Sequence, residues 1–212
     1  MIITNLKKSK KGNVLIYADG EYLTKVLSET FLKSGLKVGD RIDDEVLKNL
    51  SEEENLSKAK DKALRLLSFR DHSKKELIEK IRQSFGCECA ERAADKMENL
   101  GLVDDEKFAD SYAKELFESK LYSVRRIEYE LAKKGISNEM IEKVISENIF
   151  DERENIAKIL NKKGFDKKLI ENRFENQKEF RRIIAYCQRL GYSWSDISAV
   201  INNFQDFLGD AK

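Results

Sequence analysis

The chain has 212 residues, of which 41% are hydrophobic and 37% are charged, and it contains no proline. Its 40 basic and 39 acidic side chains leave a formal net charge of +1, so bulk charge alone cannot hold it on DNA, and any nucleic-acid contact must come from local patches. No apolar stretch approaches the length that spans a membrane, and the three cysteines form no disulfide framework. These features favour a soluble, largely helical protein of the reducing cytoplasm.

The first 42 residues predict a small β-rich extension. Residues 14–18 and 22–26 are β-prone runs on either side of Asp19-Gly20, a dipeptide that favours a hairpin because glycine accepts positive φ at little cost. The further expected elements are a third strand at residues 2–6, a helix from an N-cap at Ser28 to Gly35, and an extended piece at residues 36–42.

From about residue 43 the pattern becomes helical, and the chain repeats itself. Residues 125–145 and 181–201 coincide at eight positions with a constant offset of 56 residues. The pairs are Arg125/Arg181, Arg126/Arg182, Ile127/Ile183, Gly135/Gly191, Ser137/Ser193, Ile141/Ile197, Val144/Val200 and Ile145/Ile201. Such a repeat indicates stacked copies of one supersecondary unit, whose function lies on a shared surface more often than in a single pocket.

Apolar stripes and capping signals predict three units of three helices. We expect a linker helix at residues 43–56 and repeats at residues 57–103, 104–150 and 151–212, stacked into an elongated curved array. The expected helix starts are Ser73 with Glu76 three residues later, Asp104-Asp105, Ser123, Ser137, Asp151 and Ser193, and the expected ends are Gly86, Gly101, Gly135 and Gly191. The expected inward stripes include Ile141, Val144, Ile145 and Ile149 in the second repeat and Ile197, Val200, Ile201 and Phe204 in the third. Gly164 interrupts the helical pattern at residues 161–176.

Catalytic and metal-binding signals are weak. Cys87-x-Cys89 with His72, the single histidine, offers at most three soft ligands, and their spacing is not that of a structural zinc site. His72 adjoins Ser73, but that serine is better used as a helix cap, and no phosphate-binding loop or nucleophile elbow occurs. We therefore predict no catalytic residue, no metal and no cofactor, with the cysteines as thiols buried between helices.

A repeated row of basic and aromatic side chains is the strongest candidate for a binding surface. In repeat 2 the row is Arg126, Tyr129 and Lys133, and in repeat 3 it is Arg182, Tyr186 and Arg189; each trio shares one face of its second helix. Arginine suits carboxylates and phosphates, and tyrosine supplies stacking area. The alternative is a solvated face on a highly charged protein. The next candidates are Lys74, Lys75 and Arg82 of repeat 1.

Two consequences of this interpretation can be tested. If the row is exposed, reversing Arg126 and Arg182 to Glu leaves stability nearly unchanged, within about 0.5 kcal/mol each, while weakening binding to a partner. If Gly135 and Gly191 follow the ends of their helices, both adopt positive φ.

Three motifs follow one another in a fixed order. They are Ala63-Leu64-x-x-Leu67 with Arg70-x-His72-Ser73-x-x-Glu76-Leu77, then Gly101-Leu102-Val103-Asp104-Asp105-x-x-Phe108-Ala109-x-x-Tyr112, and then Arg126-Ile127-x-x-Glu130-Leu131-x-x-Lys134-Gly135-Ile136. This order closely resembles the RecX family of bacterial recombination regulators, over roughly residues 57–205. The β-rich extension resembles the amino-terminal extension of some members, whereas residues 161–174 are interrupted where the family tends to a longer helix.

The resemblance implies a regulator without catalytic residues that binds the RecA recombinase filament, lies along its helical groove and modulates strand exchange, usually by inhibition, in recombination, DNA repair and the SOS response. It implies a monomer, with single- or double-stranded DNA as a further candidate contact and no membrane partner. The alternative is a DNA-binding transcriptional regulator in which a three-helix unit acts as a helix-turn-helix with the hairpin as its wing. Filament-dependent binding would favour the first function, and steeply salt-dependent binding to naked duplex would favour the second.

Overall fold

The computed structural model describes residues 1–10, 12–165 and 176–203, and the chain divides into two compact units, Met1–Asp104 and Asp105–Lys212. The fold is mainly helical with a small three-stranded sheet at the amino terminus, as predicted. Within the first unit lie the sheet and the first three-helix repeat, and within the second lie the other two repeats. Residues 166–175 and Phe204, which the sequence assigns to the third repeat, are outside the described residues.

The β-rich extension is an antiparallel sheet in which β2 lies between its neighbours. Its strands are β1 (Ile3–Lys8), β2 (Asn13–Ala18) and β3 (Glu21–Leu27). Asp19 (φ 50°) and Gly20 (φ 90°) form the β2–β3 turn, which confirms the predicted hairpin. Helix α1 (Ser28–Ser34) then ends at Gly35 in the left-handed conformation.

Of the local predictions for this extension, one is wrong and another holds only in part. Ser28 does not cap α1, because its hydroxyl donates to the carbonyl oxygen of Gly12 (3.0 Å) and its position is already helical. The expected extended piece at residues 36–42 is interrupted by a turn at Gly39, and only its second part pairs with the amino terminus, through a bridge between Ile2 and Arg41 and a backbone hydrogen bond from Ile42 to Met1 (2.8 Å). Both differences come from contacts with the first strand and its following loop, which a local reading of residues 28–42 does not include.

Helix α2 (Asp44–Leu67) is continuous across the expected boundary between the linker and the first repeat. Asp43 caps it by accepting from the backbone N–H of Val46 (2.9 Å), and no glycine interrupts the following 24 residues. Helices α3 (Lys74–Phe85) and α4 (Cys87–Asn99) complete the first repeat. One helix therefore serves both as the expected linker and as the first helix of the repeat.

The second unit contains two further three-helix sets. Repeat 2 comprises α5 (Asp105–Glu118), α6 (Val124–Lys133) and α7 (Asn138–Glu147), and the described part of repeat 3 contains α8 (Glu152–Lys162), α9 (Gln177–Arg189) and α10 (Trp194–Asn202). Capping residues begin these helices as predicted, since Ser123, Ser137 and Ser193 each accept from the backbone N–H three residues later.

Glycines end the second helices of both repeats in the same way. Gly135 (φ 86°) and Gly191 (φ 103°) take the left-handed position after α6 and α9, which confirms the prediction. In each case the glycine N–H and the N–H of the next residue bond back to carbonyl groups of the last helical turn, as in a Schellman motif. The 56-residue repeat in sequence is thus a repeat in backbone geometry.

Each repeat buries its own apolar cluster, and the sheet packs on α1 and the start of α2 to form a fourth. Ile141 and Val144 lie inside the second repeat as expected. Ile149, by contrast, is 97% exposed, because α7 ends at Glu147 and the chain leaves the helical period before reaching it. In its place, Phe150 packs against the cluster. No helix in the described part of the chain has the length and apolarity needed to cross a membrane.

Candidate functional site

Repeats 2 and 3 are joined through the loops that flank their second helices. The backbone N–H of Ser123, just before α6, donates to the carbonyl oxygen of Leu190, just after α9 (3.0 Å). The hydroxyl of Tyr192 donates to the carbonyl oxygen of Leu121 (3.0 Å), and burial raises the pKa of this phenol. The last turn of α9 and the first turn of α6 are therefore neighbours.

Helix α8 supports the same junction from another side. The carboxylate of Glu152 accepts from the backbone N–H of Val124 (2.8 Å), the first residue of α6, and the amide of Asn155 donates to the carbonyl oxygen of Phe117 (2.9 Å). Burial raises the pKa of Glu152, and the bond from Val124 only partly opposes this effect. These polar bonds satisfy backbone groups between the repeats and hold the two second helices in one frame.

Gly191 permits the closest approach in this junction. A Cβ atom at Gly191 would lie 2.2 Å from Oγ of Ser123 and 2.8 Å from Cβ of Arg126. Only a residue without a side chain fits there, quite apart from the positive φ. The loop after α9 thus covers the first turn of α6.

This covering changes the environment of Arg126, which we expected to be exposed. Its Nε is buried and without a hydrogen-bond partner, and its guanidinium lies over the rings of Tyr122 (5.6 Å) and Tyr129 (5.3 Å). An Nη atom also pairs with Glu130 (2.7 Å). The premise of the predicted tolerance to charge reversal, an exposed Arg126, therefore does not hold: this half-buried arginine forms part of the packing between the repeats, and we now expect its reversal to lower stability.

The equivalent Arg182 is exposed, as expected. Together with Arg189 it lies on α9. The 13 residues of this helix include four basic residues and one acidic residue. They are Lys178, Arg181, Arg182 and Arg189, against Glu179. None of these four basic side chains forms an ion pair with another residue of the described parts of the chain. As far as the described residues go, helix α9 therefore carries positive charge that no carboxylate pairs with, on an exposed surface.

Tyr186 fixes the centre of the α9 row. Its ring packs partly against the buried cluster of repeat 3, and two cations flank it. Nζ of Lys163 lies 4.2 Å from the ring centroid, and the guanidinium carbon of Arg189 lies 5.6 Å from it. Lys163 was not among the residues identified from the sequence, although its position just before Gly164, at the end of α8, is typical of a basic helix end.

On α6 the exposed members of the row are Tyr129, which is 59% exposed, and Lys133. Tyr122 was also not identified from the sequence, although it directly precedes the cap of α6 and contacts Arg126. We define the basic row by its exposed members, which are Tyr129, Lys133, Arg182 and Arg189, with Arg126 and Tyr186 as the residues that position them.

The candidates in repeat 1 differ from this row. Two carboxylates, Asp95 and Glu98, each lie 2.7 Å from Nζ of Lys74 and raise its pKa to about 12, so this lysine ties α3 to α4. Lys75 and Arg82 are exposed. In repeat 1, Glu76 lies three residues after the capping Ser73. This is the position that Arg126 occupies after Ser123 in repeat 2. Repeat 1 therefore lacks the arginine that begins the row in the other repeats.

The side chains considered for metal binding and catalysis, His72 and the cysteines, differ in burial and in hydrogen bonding. His72 is buried, its Nδ1–H donates to the carbonyl oxygen of Arg70 (2.9 Å), and burial lowers its pKa. Cys87 is exposed rather than buried, and its hydrogen bond to Glu91 raises its pKa; Cys89 is half-buried. Among the residues that the structure describes, no three His, Cys, Asp or Glu side chains converge to hold a metal ion. The raised pKa of Cys87 disfavours its reactive thiolate form.

Comparison with known proteins supports the assignment of the repeats. Residues 59–97 match the family model of the first three-helix domain of RecX, and residues 104–145 match that of the second. Regulatory protein RecX of Caldanaerobacter subterraneus subsp. tengcongensis is 30% identical over 204 residues, which cover 95% of this chain and 99% of the relative. That of Clostridioides difficile is 29% identical over 208 residues, which cover 97% of each chain.

Solved structures agree in fold. A crystal structure of regulatory protein RecX superimposes with a TM-score of 0.70 at 21% identity and covers 95% of this chain and 98% of its own. The crystal structure of RecX from Lactobacillus salivarius gives a TM-score of 0.56 at 21% identity, over 71% of this chain and 97% of its own. From the two matched three-helix domains and a relative that is similar along nearly its whole length, we conclude that this chain belongs to the RecX family of regulatory proteins.

Proposed function

We propose that this chain is a non-enzymatic regulator that binds the RecA recombinase filament on DNA and inhibits its recombinase and ATPase activity. Relatives of nearly equal length carry the name regulatory protein, which supports a role in control rather than in catalysis. The observation that carries the proposal is the basic row on α6 and α9, which the junction of repeats 2 and 3 holds in one frame.

The chemistry of the row suits a filament assembled on DNA. Arg182 and Arg189 present planar guanidinium groups, which bind carboxylates and phosphates in a bidentate manner. Tyr129 adds an aromatic ring that loses little conformational entropy on binding. Because a filament repeats its own surface at regular intervals, contacts held in a rigid repeat frame can engage it together, and the second contact then forms at a high effective concentration.

The test compares two double variants of the full chain. Arg182→Glu with Arg189→Glu reverses the α9 part of the row, and Lys120→Glu with Lys162→Glu makes the same charge change at exposed positions of the second unit outside the row. The measurement is the ATPase activity of the cognate recombinase on single-stranded DNA against the concentration of each protein. We expect the first variant to need at least about 10-fold more protein for half-inhibition, since like charges at an interface cost several kcal/mol.

The possible outcomes distinguish an error in the proposed function from an error in the proposed binding surface. If the parent protein leaves the ATPase activity and strand exchange unchanged, the proposed function is wrong. If the folded Arg182 and Arg189 variant inhibits like the parent, the row is only a solvated face, and Lys75 and Arg82 become the candidates. If the parent instead binds naked duplex DNA in a steeply salt-dependent manner without recombinase, the transcriptional regulator is the better interpretation.

A further inference from the structure

The amino-terminal sheet has one buried face and one open face. Ile3, Val14, Ile16 and Val26 lie in the buried cluster that the sheet forms with α1 and α2. Because side chains alternate across a strand, the residues between them point to the other face. The strand register places Lys7, Leu15 and Lys25 side by side in one cross-strand row, and Asn5, Tyr17 and Tyr22 in the next.

Two tyrosine rings cluster on this open face. The rings of Tyr17 and Tyr22 contact each other edge to face, with their centroids 5.9 Å apart and an interplanar angle of 77°. Nζ of Lys7 lies 5.2 Å from the centroid of the Tyr17 ring. The side chain of Tyr22 is 56% exposed, so a large part of its ring surface faces solvent. The open face thus combines accessible aromatic surface with a cation on either side of β2.

The charge of the extension is unlike that of the chain as a whole. Residues 1–27 contain five lysines and only two acidic residues, whereas basic and acidic residues are almost equal in number over the full sequence. None of Lys7, Lys8, Lys10 and Lys25 forms an ion pair with any described residue, while lysines and arginines elsewhere, such as Lys58 and Arg92, are paired with neighbouring carboxylates. The charges of Lys7 and Lys25, which lie on the open face, are available to an external anion.

We propose that the open face of the sheet binds single-stranded nucleic acid, with bases stacked on Tyr22 and Tyr17 and phosphates paired with Lys7 and Lys25. Aromatic rings on a sheet, bordered by lysines, offer both contacts that an unpaired strand makes, because every base has a π face and every nucleotide carries a phosphate. A duplex does not offer base faces to the tyrosines, since its bases are already stacked on one another. This activity goes beyond the proposed regulation of the recombinase and requires no recombinase.

The experiment measures the binding of the full chain to a fluorescently labelled oligothymidylate by anisotropy, without recombinase and at several salt concentrations. We expect Tyr22→Ala to weaken binding about 10-fold, within the range for loss of one stacked base, and Tyr22→Phe to restore it. The matched control is Trp194→Ala, which removes an aromatic side chain of similar exposure (52%) on α10 and is expected to bind like the parent.

The lysines are tested by the salt dependence. Lys7→Gln with Lys25→Gln is expected to reduce the slope of log K against log salt by about 1.4, because each phosphate contact to a single strand contributes about 0.7. Absence of binding by the parent, or equal binding by the parent and Tyr22→Ala, overturns the proposal. The proposal also fails if the Arg182 and Arg189 variant loses binding while Tyr22→Ala and the Lys7→Gln, Lys25→Gln double variant bind fully, which would move the DNA site to α9. Whether the parent protein inhibits the recombinase ATPase is measured separately and does not depend on any of these results.

Discussion

Replacing Gly191 with alanine tests the junction that organises the second unit. The new Cβ would lie 2.2 Å from Oγ of Ser123 and 2.8 Å from Cβ of Arg126, and the residue would also have to keep a φ of +103°. The backbone strain costs about 1–3 kcal/mol. Displacing the Ser123 hydroxyl removes the N-cap of α6, which costs about 1 kcal/mol more. We therefore expect Gly191→Ala to lower the free energy of unfolding by about 3 kcal/mol.

Gly164 provides the matched control, since it lies in the same repeat. Its φ is +74°, but a Cβ atom there would meet no described atom within 4 Å, so alanine introduces strain without a clash, at about 1 kcal/mol. The assay is urea unfolding followed by the fluorescence of Trp194, the single tryptophan, which begins α10. With a urea m-value of about 2 kcal/mol per M, the midpoint of Gly191→Ala should lie about 1 M below that of Gly164→Ala.

A double-mutant cycle isolates the contact. Ser123→Ala removes the oxygen nearest to the new methyl group, so Gly191→Ala should cost at least about 0.5 kcal/mol less in that background than in the parent. Equal midpoints for the Gly164 and Gly191 variants, or strict additivity in the cycle, would show that the loop after α9 does not press on the start of α6.

Three further predictions concern the same junction. Arg126→Ala should cost about 2 kcal/mol in urea unfolding, because it removes an ion pair and two cation–π contacts, whereas Arg182→Ala should stay within about 0.5 kcal/mol of the parent. Glu152→Gln keeps an acceptor for the α6 backbone without a buried charge. Since the folded-state pKa of Glu152 is raised, the variant should match or exceed the parent in thermal stability at pH 7, and its advantage should vanish as the pH falls below that pKa and the parent carboxyl is protonated. Tyr192→Phe leaves the carbonyl group of Leu121 unpaired and should cost about 1–2 kcal/mol by the same urea assay.

Local signals predicted much of the fold because their physics is local. A serine at an N-cap bonds to a backbone N–H three residues away, and a glycine at positive φ bonds back into the preceding turn, so Ser137 and Gly135 were identifiable from a few neighbouring residues. The offset of 56 residues then extended both assignments to the third repeat.

Contacts between segments that are distant in the chain could not be predicted from such local signals. Arg126 and Arg182 occupy equivalent positions in the repeat, yet a loop from about 65 residues further along the chain covers only the first. Ile149 is exposed instead of buried because α7 ends two residues earlier. The helical period of apolar residues does not indicate where a helix ends when no glycine follows it. The binding surface could be predicted as a row of residue types, but not as a division into exposed contacts and residues that position them.

The continuity of α2 makes the amino-terminal sheet a rigid part of the first unit rather than a tethered appendage. At 1.5 Å per residue, its 24 residues form a rod of about 36 Å, which contributes Leu50 to the cluster under the sheet and Ala59 and Ala63 to the cluster of repeat 1. The two clusters therefore share a structural element, and unfolding of either cluster weakens the packing of the other. A nucleic-acid strand bound to the sheet would lie at a constant distance from the first repeat. The length of α2 would therefore fix where the repeat stands relative to that strand.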